Sequence, residues 1–426
     1  MKDRVAIVSG VRTPFCKAGG VMRDFEPDDL GARAVAELLI RSNLPGHLVD
    51  ELIFGNVIQL PLLANIARII GVKGGLPIAV PAVSVNRNCA SGLEAIATAA
   101  DKIMLGRIEI AVAGGVESMS NFPVSIRKSF RNFLQKLNKA KGWKQQLATL
   151  SSFRLNFLIP EIPEILDPLC GLTMGQTAEN LAREFFVTRQ EQDQFALMSQ
   201  QRACEAINEG FFANEIIPVT IPPNYANIQV QDDGPRDNQS MESLSKLRPV
   251  FDSVMGTVTA GNSSPLTDGA AAVLLMKESK AKELGLQPMG YIRDYAVAGL
   301  QPSRMGLGTV FSTAKLLKKT GMQLSDIDLI EINEAFAAQV LASIKALASN
   351  DFSRKELGRD HAIGEIDRDK LNVNGGAIAL GHPLGASGTR LILTLLNELK
   401  RRNKNIGLAT LCIGGGQGQA MIVEVN

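Results

Sequence analysis

Tryptophan, tyrosine and histidine are scarce in this 426-residue chain, with one Trp, three Tyr and three His. His47, His361 and His382 do not stand at metal-ligand spacing from one another or from a cysteine, so no metal site is expected. The five cysteines (Cys16, Cys89, Cys170, Cys204 and Cys412) include no C-x-x-C pair. A chain of this length needs no covalent staples, so they read as free thiols in a reducing compartment. Charge is nearly balanced at +2, which excludes broad electrostatic capture of nucleic acid. No apolar run approaches the roughly 20 residues of a spanning helix. Val5–Gly10 already has a strand pattern, with no leader or transit stretch ahead of it, so a cytoplasmic location is expected, or an organelle interior after processing. One absence is local: residues 121–160 contain no Asp or Glu.

Hydrophobic residues make up 45% and charged residues 21%, the balance of a globular protein with a large core and two or three domains. Over residues 1–120, strand patterns (Val5–Gly10, Val49–Ile58, Ile78–Val85, Ile108–Ser118) alternate with helix patterns, one running from Asp28 to Ile40 and one from Asn65 to Val72. Alternation at this spacing predicts an α/β domain. From Val273 the same alternation resumes and lasts to the end. Asp50–Asn56 is echoed by Asp326–Asn333, Ala90-Ser91-Gly92 by Ala386-Ser387-Gly388, and Ala111–Gly115 by Thr410–Gly415. The chain reads as a duplicated α/β unit, whose matching strand ends face one crevice.

Between the copies the character changes. Eight cations (Arg127, Lys128, Arg131, Lys136, Lys139, Lys141, Lys144 and Arg154) interleave with apolar residues in the acid-free stretch. Phe130, Phe133, Leu134 and Leu137 fall at helical spacing and predict an amphipathic helix with a basic opposite face. Such a helix fits packing on its own domain and fits equally a membrane surface, a partner subunit or a polyphosphorylated ligand. Residues 160–168 read as an acidic, proline-punctuated connector. Helices are expected from Thr177 and from Thr188, the latter with a Thr188/Glu191 capping box, and 213–250 reads as loop. The boundaries drawn are 1–120 with 255–280 for an N-terminal half, 121–254 for an inserted loop domain, and 281–426 for a C-terminal half.

Three stretches carry chemistry. Asn86–Ala95 places Cys89 at a strand-to-helix junction, where unpaired N–H groups favour a thiolate, and Ala90, Ser91 and Gly92 leave room beside the sulfur. By themselves these ten residues fit a nucleophile and an inert thiol equally well. Asn374–Gly388 repeats the Ala-Ser-Gly design with His382 ahead of it, and Leu411–Gly418 sets Cys412 at a strand end before a glycine turn. Two cysteines, one histidine and glycine loops compose a plausible acyl-transfer site.

Asn88–Gly92, Gly256–Asn262, Asn333–Ala337, Gly381–Gly388 and Cys412–Gly418, in this order, resemble the motif set of the thiolase family across almost the whole chain. Leu137–Lys141 and Phe153–Leu158 further resemble the thiolase subunit of the fatty-acid oxidation trifunctional complex. Asn333 follows the general thiolase pattern, whereas complex-type enzymes usually carry His there.

The resemblance implies a five-layer αβαβα fold and acetyl-CoA C-acyltransferase chemistry, the CoA-dependent cleavage of 3-ketoacyl-CoA in fatty-acid β-oxidation. In that mechanism His382 accepts the Cys89 proton, the thiolate attacks the 3-keto carbon, and Cys412 protonates the departing enolate, a role suited to a thiol with a pKa of about 8.5. One oxyanion hole is formed by the N–H groups of Cys89 and Gly414, the other by His382 with a water on Asn333; each donor is typically worth ~3–4 kcal/mol. Ser264, Ala260 and Met174 line the pantetheine channel by the same analogy, and basic residues of the insertion meet the CoA phosphates.

Coenzyme A is then a substrate, and no cofactor is implied. A homodimer or tetramer, a hydratase/dehydrogenase subunit and membrane contact through residues 127–158 are the partners suggested. The alternatives are a biosynthetic acetoacetyl-CoA thiolase, a carrier-protein ketosynthase, against which Cys412 argues, and a non-catalytic scaffold.

Overall fold

The computed structural model describes residues 3–124, 126–160 and 166–426. They fall into two compact units, Met1–Asn121 with Asp167–Asn426, and Phe122–Leu166. Residues 161–165 of the expected connector lie outside those described.

The larger unit is organised on a ten-stranded mixed sheet. Its strands are β1 (Val5–Arg12), β2 (Cys16–Lys17), β3 (Glu51–Gly55), β4 (Ala82–Val85), β5 (Ile110–Ser118), β6 (Thr267–Lys277), β7 (Gly290–Gly299), β8 (Leu329–Ile332), β9 (Ile406–Ile413) and β10 (Gln417–Glu424). The spatial order is β8-β9-β10-β7-β1-β6-β5-β3-β4, with β2 paired to β6. In the N-terminal half β4, β3 and β5 are parallel and β6 and β1 antiparallel. In the C-terminal half β8 and β9 are parallel, and β10 and β7 antiparallel. The halves join where β1 pairs with β7, Ala6 opposite Tyr291.

The repeat extends to single hydrogen bonds. Asp50, just before β3, accepts from the N–H groups of Glu109 and Ile110 (2.7 and 2.9 Å), and Asp328, just before β8, accepts from Asn405 and Ile406 (3.0 and 2.9 Å). Each aspartate thereby sets the register of the next strand.

Side chains alternate along the strands and so give the apolar interior three large cores, beside two small clusters. On the outer face of the N-terminal half, Ile110, Val112, Leu274 and Met276 meet α1 (Pro27–Ser42) and α2 (Ile66–Lys73) through Leu30, Leu38 and Ile70. Between the halves, Ala111, Val273, Leu275, Leu411 and Met421 enclose α3 (Ser91–Met104) and α10 (Leu384–Arg401) through Leu93, Ile96, Leu391 and Leu395. Beyond the C-terminal half, Ile330, Leu408 and Ile422 meet α6 (Met174–Glu184), α8 (Gly308–Thr320) and α9 (Ala337–Leu347). This is the five-layer αβαβα arrangement.

Several local expectations shift. The strand read from Ile78 is confined to Ala82–Val85, because Pro77 and Pro81 cannot donate to a ladder. The alanines after Gly269 belong to β6: Ala270–Ala272 lie between β1 and β5. Segment 213–250 holds a small hairpin (Val219–Thr220 with Ile228–Gln229) and a helical turn at Met241–Ser245. The Thr188/Glu191 capping box is present at the start of α7 (Arg189–Asn208), and a second one at Thr173/Gln176 starts α6.

In the smaller unit, α4 (Lys128–Lys139) and α5 (Trp143–Leu150) are followed by a 3₁₀ turn at Leu155–Leu158. Its core is aromatic: Phe130, Phe133, Phe153 and Phe157 lie with ring centroids 5.5–6.5 Å apart. Phe130 and Phe133 of the expected stripe therefore turn into their own unit. Leu134, Trp143, Leu147, Leu150, Leu155 and Leu158 remain exposed.

Arg12, at the end of β1, is wholly buried between two carboxylates. Its Nε donates to Glu215 (2.7 Å), and Nη1 and Nη2 donate to Asp232 (2.7 and 2.9 Å). Thr394 of α10 donates to the same Glu215, at 3.1 Å to Oε2. Arg12→Leu leaves both carboxylates buried without a cation, so it should lower the unfolding free energy by about 3–5 kcal/mol. Urea unfolding followed by circular dichroism checks this; an unchanged midpoint would show that the triad adds no net stability.

Candidate active site

Cys89 lies in the turn between β4 and α3. Asn88 takes a left-handed conformation (φ 45°), which asparagine tolerates, and this reverses the chain immediately before the cysteine. Ser91 closes the turn: its hydroxyl accepts from Arg87 N (2.9 Å) and donates to Asn88 O (2.7 Å). Asn88 Nδ2 donates to Gly414 O (2.8 Å), fastening the Cys89 turn to the turn after Cys412. There Gly415 and Gly416 carry positive φ of 87° and 76°. Gly415 N donates to Asp167 (2.9 Å).

His382 follows from helix contact. α3 and α10 cross near their N-termini, where Gly92 and Gly388 remove the side chains that would hold them apart; a Cβ on Gly92 would stand 2.6 Å from Gly385 O, and one on Gly388 2.4 Å from Leu93 N. The backbone N–H of His382 donates to Pro265 O (3.2 Å), that of Ser264 to Ala335 O (3.0 Å), and that of Asn333 to Thr410 O (3.0 Å). The five motif segments thus interlace around one place.

His382 is 4% exposed, and both ring nitrogens are engaged. Nδ1 is 2.6 Å from Ser387 Oγ, whose own proton goes to Pro383 O (3.0 Å), so Nδ1–H donates to Ser387. Nε2 keeps its lone pair, toward which Asn333 Nδ2 donates at 3.3 Å. Burial, and then the positive charge of Arg390, push His382 down to about 3, leaving a neutral imidazole able to accept a proton at Nε2. Arg390 is itself buried and donates to Glu331 (2.8 Å).

The two sulfurs correct the expected ionisation. Burial raises the Cys89 thiol, although the N–H groups of Gly414 and of Cys89 itself donate toward the sulfur and pull it back down. The helix N-terminus does not overcome desolvation here. Burial also raises Cys412 well beyond the expected 8.5, and a negative charge on Cys89 raises it further. Cys412 is therefore a neutral thiol, able to donate a proton and poor at holding a negative charge. The Asn88–Gly414 hydrogen bond, one residue before Cys89 and two after Cys412, places the two sulfurs in one neighbourhood.

Of the channel candidates, Met174 packs on Gly414, 3.2 Å from the position a Cβ there would take. Ser264 is half-buried and its hydroxyl donates to Ala335 O (3.2 Å), while Ala260 is exposed on the same loop. Three contributors escaped the sequence reading: Asn88, Ser387 and Arg390. Ser387 was visible only as part of an Ala-Ser-Gly repeat, and its spacing of five from His382 carries meaning only once α10 is known to begin between them.

Comparison with known proteins agrees with this geometry. Residues 5–279 match the thiolase N-terminal domain and residues 286–425 the thiolase C-terminal domain. A 3-ketoacyl-CoA thiolase of Yersinia enterocolitica is 46% identical over 425 residues, covering 100% of this chain and 97% of that protein. The structure of a Bacillus anthracis acetyl-CoA acetyltransferase superposes with a TM-score of 0.86 at 38% identity, over 100% of this chain and 99% of that one. Human mitochondrial 3-ketoacyl-CoA thiolase in complex with CoA gives 0.84 at 36% identity, over 100% and 98%. Matched along both halves, with its motif residues interlaced in one site, the chain belongs to the thiolase family.

Proposed function

We propose that this chain is a degradative 3-ketoacyl-CoA thiolase, cleaving 3-ketoacyl-CoA with CoA to acetyl-CoA and a shortened acyl-CoA. The observation that carries the reading is the crossing of α3 and α10, which sets the Cys89 turn, fastened to Gly414 beside Cys412, against the loop of His382. His382 Nε2 takes the Cys89 proton and the sulfur attacks the substrate's C3 carbonyl carbon. The C2–C3 bond breaks, its electron pair forms the acetyl-CoA enolate, and Cys412 supplies the proton that completes acetyl-CoA. CoA then gives its thiol proton to the Cys412 thiolate and attacks the acyl group on Cys89. Cys89 leaves as a thiolate and recovers its proton from His382, so both groups return to their starting forms. The N–H groups of Cys89 and Gly414 suit the oxyanion of the first tetrahedral intermediate, and His382 with Asn333 that of the enolate. Met174, Ser264 and Ala260 belong to the pantetheine path in this reading.

The relatives carry two names, 3-ketoacyl-CoA thiolase and acetyl-CoA acetyltransferase. The full-length 46% match to the former favours the degradative direction. Cys89→Ala should abolish thiolysis while leaving the circular dichroism spectrum unchanged, and wild type should cleave C16 as well as C4 substrates. Retained turnover in the variant removes the nucleophile assignment, and activity confined to C4 moves the chain to the biosynthetic class.

Because burial raises the Cys89 thiol, less thiolate is present at neutral pH than for a free cysteine. The rate of Cys89 modification by iodoacetamide should therefore still be climbing past the ordinary value of about 8.5. Peptide mass spectrometry across pH 6–10 follows this residue specifically, and a plateau below pH 8 contradicts it.

For the smaller unit we favour an anionic membrane surface as occupant. Exposed Leu, Trp and cationic side chains occur together there with no acid over 121–160. A homo-oligomer belongs to the same proposal: β4 ends the sheet with no further strand among the described residues, and Val83 on it is exposed. Deleting residues 127–144 should abolish flotation with phosphatidylglycerol-containing vesicles, while light scattering still returns a multiple of the shortened chain's mass. Unchanged flotation rejects membrane docking, and loss of binding only to a hydratase/dehydrogenase subunit assigns the face to that partner.

A further inference from the structure

Glu117, near the end of β5, is fully buried, and its hydrogen-bond donors are all neutral. Oε1 accepts from Ile58 N (2.9 Å) and Asn56 Nδ2 (3.0 Å); Oε2 accepts from Gly385 N (2.9 Å) and Val57 N (3.1 Å). Those donors come from two places. Gly385 lies in the first turn of α10, three residues after His382. Val57 and Ile58 follow β3, and Val57 O accepts from Asn86 Nδ2 (3.3 Å), whose Oδ1 accepts from Asn88 N (2.9 Å), directly before Cys89. A single carboxylate therefore joins the loop of the base to the turn of the nucleophile. It is also near enough for its charge to act on the Cys89 sulfur.

The residue type is informative. A carboxylate buried without a cation is unfavourable by itself, and burial pushes Glu117 up to about 7 despite the N–H groups of Ile58, Val57 and Gly385; nearby Asp268 adds to the rise. An amide of the same shape would escape that penalty, but it offers one acceptor oxygen where these four donors need two. The position thus retains a costly group whose particular capacity is to hold two backbone segments at once.

We propose that Glu117 is a positioning residue for the thiolytic site, setting the distance and orientation of His382 relative to Cys89 by binding the Gly385 and Val57–Ile58 backbones through its two oxygens. It touches no reacting atom and acts through the two loops. The proposal rests on the thiolytic reading above.

Glu117→Gln supplies the test. Its amide NH₂ group faces N–H donors on one side, so the two loops lose their common anchor, and a misplacement on the order of 1 Å lowers turnover about 100-fold. The expected result is a folded protein by circular dichroism, kcat for thiolysis down by about that factor, and KM for CoA within about threefold. Removing the charge should at the same time move Cys89 modification by iodoacetamide to lower pH. A more ionised nucleophile with slower turnover is a combination that general destabilisation does not produce.

Asn86→Ala, on an exposed side chain, cuts the same path without disturbing the buried carboxylate and should lower kcat several-fold. It serves where Glu117→Gln does not fold. Unchanged kcat in a folded Glu117→Gln protein, a loss confined to KM, or an unaltered kcat in Asn86→Ala overturns the proposal. Absence of thiolysis in the wild type refutes the functional reading instead. The modification profile needs no turnover and then decides alone: an unmoved profile in Glu117→Gln rejects any influence of this residue on Cys89.

Discussion

The close crossing of α3 and α10 is the constraint on which the remainder depends. Each helix begins just after a residue of the proposed chemistry, Cys89 for one and His382 for the other. Their axes approach because Gly92 and Gly388 carry nothing at the contact. A side chain at either would meet backbone, which cannot move aside as a rotamer can. Duplication supplies two similar halves, but it is this contact that turns two strand-helix junctions into one site.

Burial controls the chemistry more than charge does. Desolvation raises both thiols and lowers the imidazole, so each group is held in its uncharged form. Arg390 adds to this by opposing an imidazolium, while its pairing with Glu331 keeps its own charge satisfied. The resting site stores no ion pair between nucleophile and base. In the proposed reaction, proton transfer then accompanies bond formation at the substrate.

Much of this was legible beforehand because it is local or ordered along the chain. The Thr188/Glu191 cap, the strand that carries Cys412 near its end and the echo of Asp50–Asn56 in Asp326–Asn333 are short-range patterns with a physical cause. Five motifs in order pointed to the family. What stayed hidden was environment. The position of Cys89 before a helix suggested an easily ionised thiol, and only packing shows that burial prevails. Glu117, Asn56 and Gly385 share one hydrogen-bond cluster, yet nothing in their separate neighbourhoods marks them as partners. The amphipathic stripe of α4 was visible, whereas the inward turn of Phe130 and Phe133 depended on Phe153 and Phe157.

The place of β6 governs the order in which the molecule can be assembled. It lies between β1 and β5, although residues 119–266 are made between β5 and β6. During synthesis, β1 and β5 therefore wait with unsatisfied backbone edges until residue 277 has left the ribosome. α3 in turn remains partly uncovered until α10 emerges near the end of the chain. The nascent polypeptide therefore carries exposed sheet edges until its second half is under way, the interval in which edge-to-edge pairing with another chain competes with folding.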